Sequence, residues 1–258
     1  MGALALVGVL GGGVVWMAGA QETNAAFRLS ASGESDPAHR AAHSSKPIPW
    51  PGGRIPYDVS KLTEARQKLA LKAMKRWEET GANIQFTPRS NEVAYVFFTG
   101  RTDAGNNTSC VGYPTDHRTE INITAFWWTQ GEWMPVHELG HAIGFFHEHE
   151  RWDRDAYVTV HYENMKPERR SDYDWIPKTN WITSATAYDY YSIMHYRTCW
   201  TSINEKECRD GDGESPCAVL DPVGTNYDGV IGQWSTYGIS AVDAEKARAV
   251  YGTRAKQP

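Results

Sequence analysis

No two cysteines in this 258-residue chain stand in a CxxC pair, and the sequence has only four: Cys110, Cys199, Cys208 and Cys217. That absence excludes a cysteine-built zinc knuckle or ribbon. With no PCxxC element it also excludes a zinc nucleobase deaminase. There is no run of lysine and arginine, and the net charge is −5, so no nucleic-acid partner is expected. Beyond residue 20 no stretch is apolar enough to span a bilayer, and no stable membrane association is expected. Repeats and low-complexity tracts are absent too. Charge itself is missing from the first twenty residues, "MGALALVGVLGGGVVWMAGA", which also lack a basic start. Their glycines and the small-x-small ending Ala18-Gly19-Ala20 favour a cleaved signal peptide, 1–20, over a membrane anchor. Export makes disulfides among the four cysteines expected, with three pairings open.

Apolar and charged contents of 41% and 22% are those of a soluble globular chain, and the eleven Trp and thirteen Tyr read mainly as packing. Residues 21–49 are polar, rich in Ala, Ser and Pro, and without period, as a flexible pro-segment would be. From "WPGGRIPYDV" onward the pattern is that of a folded domain. Thr63 to Thr80 predicts a helix, because Leu69, Ala70, Ala73, Met74 and Trp77 share one face and Gly81 follows as a stop. Strands are expected at Ile84–Thr87, Val93–Thr99 and Glu120–Thr124. A second helix should cover Gly131–Gly144, and a last one Ser240–Tyr251, with Ser240 and Asp243 as a capping box before Gly252. The fold class is α+β: an αβ lobe, a helix bearing histidines and a loop-rich lobe, forming one catalytic unit.

The informative stretch is "HELGHAIGFFHEHERWDRD", residues 137–155, with four histidines and five acidic residues. His137 and His141 are four apart, so on a helix both imidazoles point at one ion. Glu138, beside the first ligand, can reach a metal-bound water. Gly144 can take positive φ, stop the helix and turn the chain, so that His147 arrives from another direction. The whole string is HExxHxxGxxH. Three neutral imidazoles leave the fourth position of Zn2+ open for water, which marks a catalytic site rather than a structural one. His149 should point elsewhere and is read as non-ligating; His39, His43 and His117 read as surface residues, and His161 has no assigned role. About fifty residues on, "SIMHY" offers Met194 as an apolar floor beneath the metal and Tyr196 as a phenol near it.

With "DYYSIMHY", "WPGGRIPY" and "AVDAEKARAVYG" beside the zinc string, the chain resembles the astacin family of metzincin metallopeptidases over roughly residues 41–252. The continuation into Arg151, Asp153, Arg154 and Asp155 makes the likeness specific. The resemblance implies a zincin fold of two lobes about a horizontal cleft. A twisted, mainly parallel sheet with backing and active-site helices forms the N-terminal lobe, and the C-terminal lobe is loop-rich and ends in a helix. It implies a secreted zinc-dependent endopeptidase acting on protein or peptide substrates, with one catalytic Zn2+ on His137, His141 and His147. Glu138 would be the general base, Tyr196 the oxyanion stabiliser and Met194 the Met-turn methionine. Glu148 would hold the mature N-terminus through water. The family's start, which makes the tryptophan of the WxGG segment the tenth residue, falls on Ala41, after Arg40, where a trypsin-like activating protease would cut. The implied division is signal 1–20, pro-segment 21–40 and catalytic domain 41–258. The rival reading is a non-catalytic zinc-binding module of protease descent; it would have lost Glu138 or a ligand, and all are present.

Some family features are missing. Neither "TGANIQF" nor "YGTRAKQP" has a cysteine for the bond that ties the first helix–strand junction to the C-terminus, and Cys110 has no partner in "TAFWWTQGEW". Cys110 is then left to pair with Cys199, Cys208 or Cys217 or to stay free; the pairing expected is Cys208–Cys217, a short loop, with Cys110–Cys199. The pro-segment lacks the family's zinc-blocking FxGD; Asp36 and Glu34 are its nearest acids, and without a cysteine it has no cysteine switch. Sequons stand at Asn106, Asn107 and Asn122. Which of Arg101, Arg118, Arg197 or Arg209 faces a substrate side chain is not set by spacing. N-terminal sequencing of the active form is expected to read from Ala41, within one residue; an active form that retains the whole pro-segment would refute this reading.

Overall fold

The computed structural model describes residues 45–101, 109–204, 207–209, 215–224, 231–232 and 238–255. The signal and pro-segment readings, Ala41, His39, His43 and the sequons at Asn106 and Asn107 lie outside the described residues.

After a tight turn at Pro51–Gly53 the chain enters β1, Arg54–Asp58. It continues into α1, Glu64–Glu78, which buries Ala70, Ala73, Met74 and Trp77, four of the five positions expected on its apolar face; Leu69 is partly buried. Gly81, at φ +77°, turns the chain out of the helix region. Three more strands follow: β2, Gln85–Pro88; β3, Val96–Phe98; and β4, Thr119–Ile121. The order is β2-β1-β3-β4 and every pairing is parallel. Parallel neighbours require a crossover, and α1 supplies it between β1 and β2.

Strand β1 is not among those expected, because proline inside a central strand argues against one. The register shows how Pro56 is accommodated. Tyr57 O accepts from Arg89 N on the β2 side, so by alternation Pro56 faces β3. Pairing with β3 begins only at Tyr57, so the donor that Pro56 lacks is not needed. Strand β3 is shorter than the Val93–Thr99 expected, and Val93 lies 64% exposed ahead of it.

A short helix α2, Ala125–Thr129, precedes α3, Trp133–Ala142, the helix expected over 131–144. Trp77 joins α1 to α3, its indole N–H donating to Val136 O at 2.9 Å from a fully buried position. Downstream, regular structure is sparse. Strand β5, Val158–Val160, pairs antiparallel with β6, Leu220–Pro222. The last element, α4, Ala241–Tyr251, has the capping box expected from Ser240 and Asp243: Asp243 N donates to Ser240 Oγ at 2.8 Å.

The buried apolar side chains form two main clusters. One joins the sheet, α1 and α3 with Met194. The other gathers Val158, Met165, Tyr173, Tyr188, Tyr196, Val219, Leu220 and Ile231. Among the described residues no helix is long and apolar enough to cross a membrane. Because Trp77 fills the α1–α3 contact and satisfies its own N–H, Trp77→Ala should cost about 3–5 kcal/mol. Urea unfolding of the variant would measure that; a loss under about 1 kcal/mol would show that the cavity collapses or that this contact adds little.

Candidate metal centre

Helix α3 carries His137 and His141 on successive turns, with ring centroids 4.8 Å apart and planes at 89°. The helix stops because the backbone reverses at Gly144, φ +108°. A Cβ there would also collide with Ile182 Cδ1. The reversal brings His147 back over the helix, with its ring centroid 4.6 Å from that of His141 and 5.3 Å from that of His137. The three expected ligands are thus together, all buried, each offering a nitrogen within 4.8 Å of the others.

The hydrogen bonds on the far side of each ring decide which nitrogen points inward. His137 Nδ1 lies 2.7 Å from Ile193 O, and His141 Nδ1 lies 2.7 Å from Phe145 O. A carbonyl only accepts, so both Nδ1 atoms carry the proton and both Nε2 atoms present lone pairs. His147 Nδ1 lies 3.0 Å from Glu150 Oε2, which fixes the same tautomer. His141 Nε2 and His147 Nε2 then face each other at 3.1 Å. Two nitrogens bound to one tetrahedral zinc at about 2.0–2.1 Å stand about 3.3 Å apart. The donor set therefore fits Zn2+, in type and in spacing. Burial lowers the pKa of His137 to about 4, which keeps the ring neutral and ligand-ready at neutral pH.

Met194 lies beneath the helix, 1% exposed. A Cβ on Gly140 would collide with its Sδ and meet the Trp77 ring at 3.2 Å, so the close approach requires glycine at the position between the first two ligands. The spacing of the zinc string does not single out Gly140; a glycine inside a predicted helix is the signal available for it. Glu138 is buried beside His137, and burial raises its carboxyl pKa to about 8.

Tyr196 is the second expected site residue. Its ring lies 4.4 Å from His147 and stacks at 4.1 Å and 25° on His149. Burial, then the nearby Asp172, holds its phenol well above the ordinary range, so it is protonated. His149 is outside the metal cluster, as expected, but it is fully buried; its Nε2 meets Asp172 O at 3.1 Å. His117 is exposed, and His161 lies 3.0 Å from Asp221 Oδ2. The acidic and basic tail after His147 clasps loops. Arg151 forks onto Asp153 at 2.8 and 2.9 Å and donates to Thr186 O and Ala187 O. Arg154 donates to His149 O and Tyr173 O.

Glu148 is fully buried and already partnered. Lys246 Nζ lies 2.5 Å from its Oε2; Arg151 Nη1 at 3.2 Å and Asp189 N at 2.9 Å share its Oε1. Sequence reasoning missed Lys246 and Asp189. Two further expectations are corrected. The disulfide is Cys199–Cys208, Cα atoms 5.7 Å apart, so neither Cys208–Cys217 nor Cys110–Cys199 forms; Cys217 keeps its thiol, buried. Cys199 and Cys208 flank one short loop, which brings them together more cheaply than a link to distant Cys110. The sequon Asn122 is 3% exposed, its Oδ1 accepting from Thr99 Oγ1, and offers no surface for a glycan.

Asp189 and Asp243 are bridged through Ser240 Oγ, which donates to Asp189 Oδ2 at 2.5 Å and accepts from Asp243 N. Burial first, then the Asp243 carboxylate, raises the pKa of Asp189 from 3.8 to about 6. The folded state therefore holds this proton more tightly than the unfolded one. The stabilising contribution is complete below about pH 4 and is lost as pH rises through about 6. Asp189→Asn should accordingly gain stability over the parent chain as pH rises from 4 to 7; paired urea titrations with no pH-dependent difference would refute this.

Comparison with known proteins agrees with this geometry. Residues 42–252 match the family model described as Astacin, a peptidase family. Nematocyst expressed protein 6 of Nematostella vectensis is 33% identical over 211 residues, 80% of this chain and 66% of that protein. Tolloid-like protein 1 of Mus musculus is 36% identical over 66% of this chain, and zinc metalloproteinase nas-8 of Steinernema carpocapsae 33% over 60%. The matches cover 16% and 36% of those two relatives, so the chain spans less than two thirds of each of the three curated relatives named. Among solved structures, high choriolytic enzyme 1, a hatching enzyme zinc-protease from the medaka Oryzias latipes, superposes with a TM-score of 0.65. It is 27% identical, with 82% of this chain and 96% of that one covered.

Proposed function

The chain belongs to the astacin family of zinc metalloendopeptidases, and we propose that it hydrolyses peptide bonds with Glu138 as general base and Tyr196 as oxyanion stabiliser. The observation that carries this reading is the convergence of three buried imidazoles, each with its Nδ1 engaged and its Nε2 turned inward. His137, His141 and His147 would hold the zinc. When bound, the ion lowers the pKa of a coordinated water from about 15.7 toward about 7 and polarises the scissile carbonyl.

The remaining chemistry belongs to the chain. Glu138 follows His137 directly, in a buried position, where its carboxylate takes the proton of the attacking water and returns it to the leaving nitrogen. Burial alone would keep that carboxyl protonated near neutrality, and a dication beside it favours the carboxylate. Tyr196, with its phenol held protonated, donates a hydrogen bond to the oxygen on which charge develops. Met194 packs against Gly140 and floors the ligand helix.

The proposal extends to maturation and place. Ala41, freed by a trypsin-like cut after Arg40, would bring an ammonium to Glu148 through water. Among the described residues, the buried carboxylates Glu148, Asp189 and Asp243 outnumber the cations that meet them, Lys246 and Arg151; an added ammonium would offset the difference. Secretion after signal cleavage is supported by the Cys199–Cys208 bond, which an oxidising compartment sustains.

Casein hydrolysis with and without a chelator tests the activity. Glu138→Ala should abolish turnover while zinc stays bound, and Tyr196→Phe should lower kcat about 10²–10³-fold with little change in KM. Near-normal turnover in Glu138→Ala would overturn the mechanism.

A further inference from the structure

The expected ligands and Met194 all lie within residues 137–194, but the contacts that fix them run to the end of the chain. Ile193 O holds His137 Nδ1 at 2.7 Å. The same residue's N–H donates to Asp243 Oδ2 at 2.8 Å, on the first turn of α4. Ser192 Oγ donates to Asp243 Oδ1 at 2.6 Å and in turn accepts from Met194 N at 3.0 Å. Asp243 also takes the N–H of Ser240, so its two oxygens gather three donors from two segments, and it is fully buried. One turn further along α4, Lys246 meets Glu148 at 2.5 Å, and Glu148 is the neighbour of His147 in sequence. Glu148 N donates to Met194 O at 3.0 Å, closing the circuit between the third ligand's segment and the methionine turn.

We propose that Asp243 and Lys246 are positioning residues for the metal centre: the C-terminal helix grips the Ser192–Met194 turn that orients His137 and the Glu148 carboxylate that follows His147. The inference rests on the zinc-peptidase reading and extends it to a helix that carries none of the expected site residues. An acceptor at Asp243 is needed because the Ile193 N–H is buried; Asp243 also reaches the next peptide, whose carbonyl fixes the His137 tautomer, through Ser192 Oγ, which takes the Met194 N–H, so without it both peptides of the turn lose their hold. Lys246 is needed because Glu148 has no solvent to share its charge. Loss of such supporting contacts typically lowers metal affinity about 10–100-fold.

The test is zinc affinity, measured by competition with a chelating dye, with thermal unfolding of the metal-free chain in parallel. Asp243→Ala and Lys246→Met should each weaken zinc binding within that range. Asp243→Asn should recover most of the loss, since its amide oxygen can still accept from Ile193 N. Arg248→Ala is the control. It removes the bond from Arg248 Nη1 to Thr80 O, which docks the same helix, and should lower the unfolding temperature while leaving zinc affinity unchanged. If Asp243→Ala does not fold, Lys246→Met and Asp243→Asn carry the comparison. Zinc affinity that stays at the parent value in Lys246→Met and Asp243→Ala, or that falls as far in Arg248→Ala, would reduce α4 to a structural clasp and overturn the inference. A parent chain that takes up no zinc would overturn it together with the peptidase reading.

Discussion

Two imidazole nitrogens whose lone pairs face each other at 3.1 Å repel unless a positive charge lies between them. The carbonyls of Ile193 and Phe145 and the carboxylate of Glu150 leave His137, His141 and His147 no other tautomer, so the repulsion cannot be relieved by moving a proton. Burial closes the other escape at His137, where a protonated ring would have to be desolvated. Much of the surrounding structure serves this one frustrated arrangement. Helix α3 spaces two rings, Gly144 returns the third, and Met194 packs where Gly140 leaves room.

The elements that the sequence made legible are those with a local cause. Helix α1 followed from an apolar face and α4 from a capping box, and both formed within one or two residues of the expected ends. The three ligands were legible because the helical repeat and one glycine fix their directions without reference to the rest of the chain. Strand β1 was not, because Pro56 is tolerated only through the stagger between β1 and β3, a tertiary fact. The pairing of Cys199 with Cys208 was equally hidden: elimination among four cysteines carries no geometry. Lys246 had no signal at all, being one lysine on a helix until Glu148 was placed beside it.

The residues after His147 show how a motif can be specific without being chemical. Arg151 and Arg154 are buried to the guanidinium, and both donate to backbone carbonyls of distant loops, Thr186 O and Ala187 O for the first and Tyr173 O for the second. Guanidinium groups suit this task, since one rigid fork satisfies several acceptors at once. The loop-rich half of the chain has little regular hydrogen bonding of its own, and these side chains supply part of it. His149 shares that role while presenting its ring face to Tyr196, so the phenol rests on a surface fixed by the same loops.

The bond from Ile193 N to Asp243 Oδ2 spans fifty residues of chain, and this has a bearing on biosynthesis. During translation the last histidine emerges long before Asp243 does. A nascent or truncated chain thus has every ligand in hand and lacks the anchor on which Ile193 is hung. Full hold on the metal would then arrive only once the final helix has docked, after every ligand is already in place.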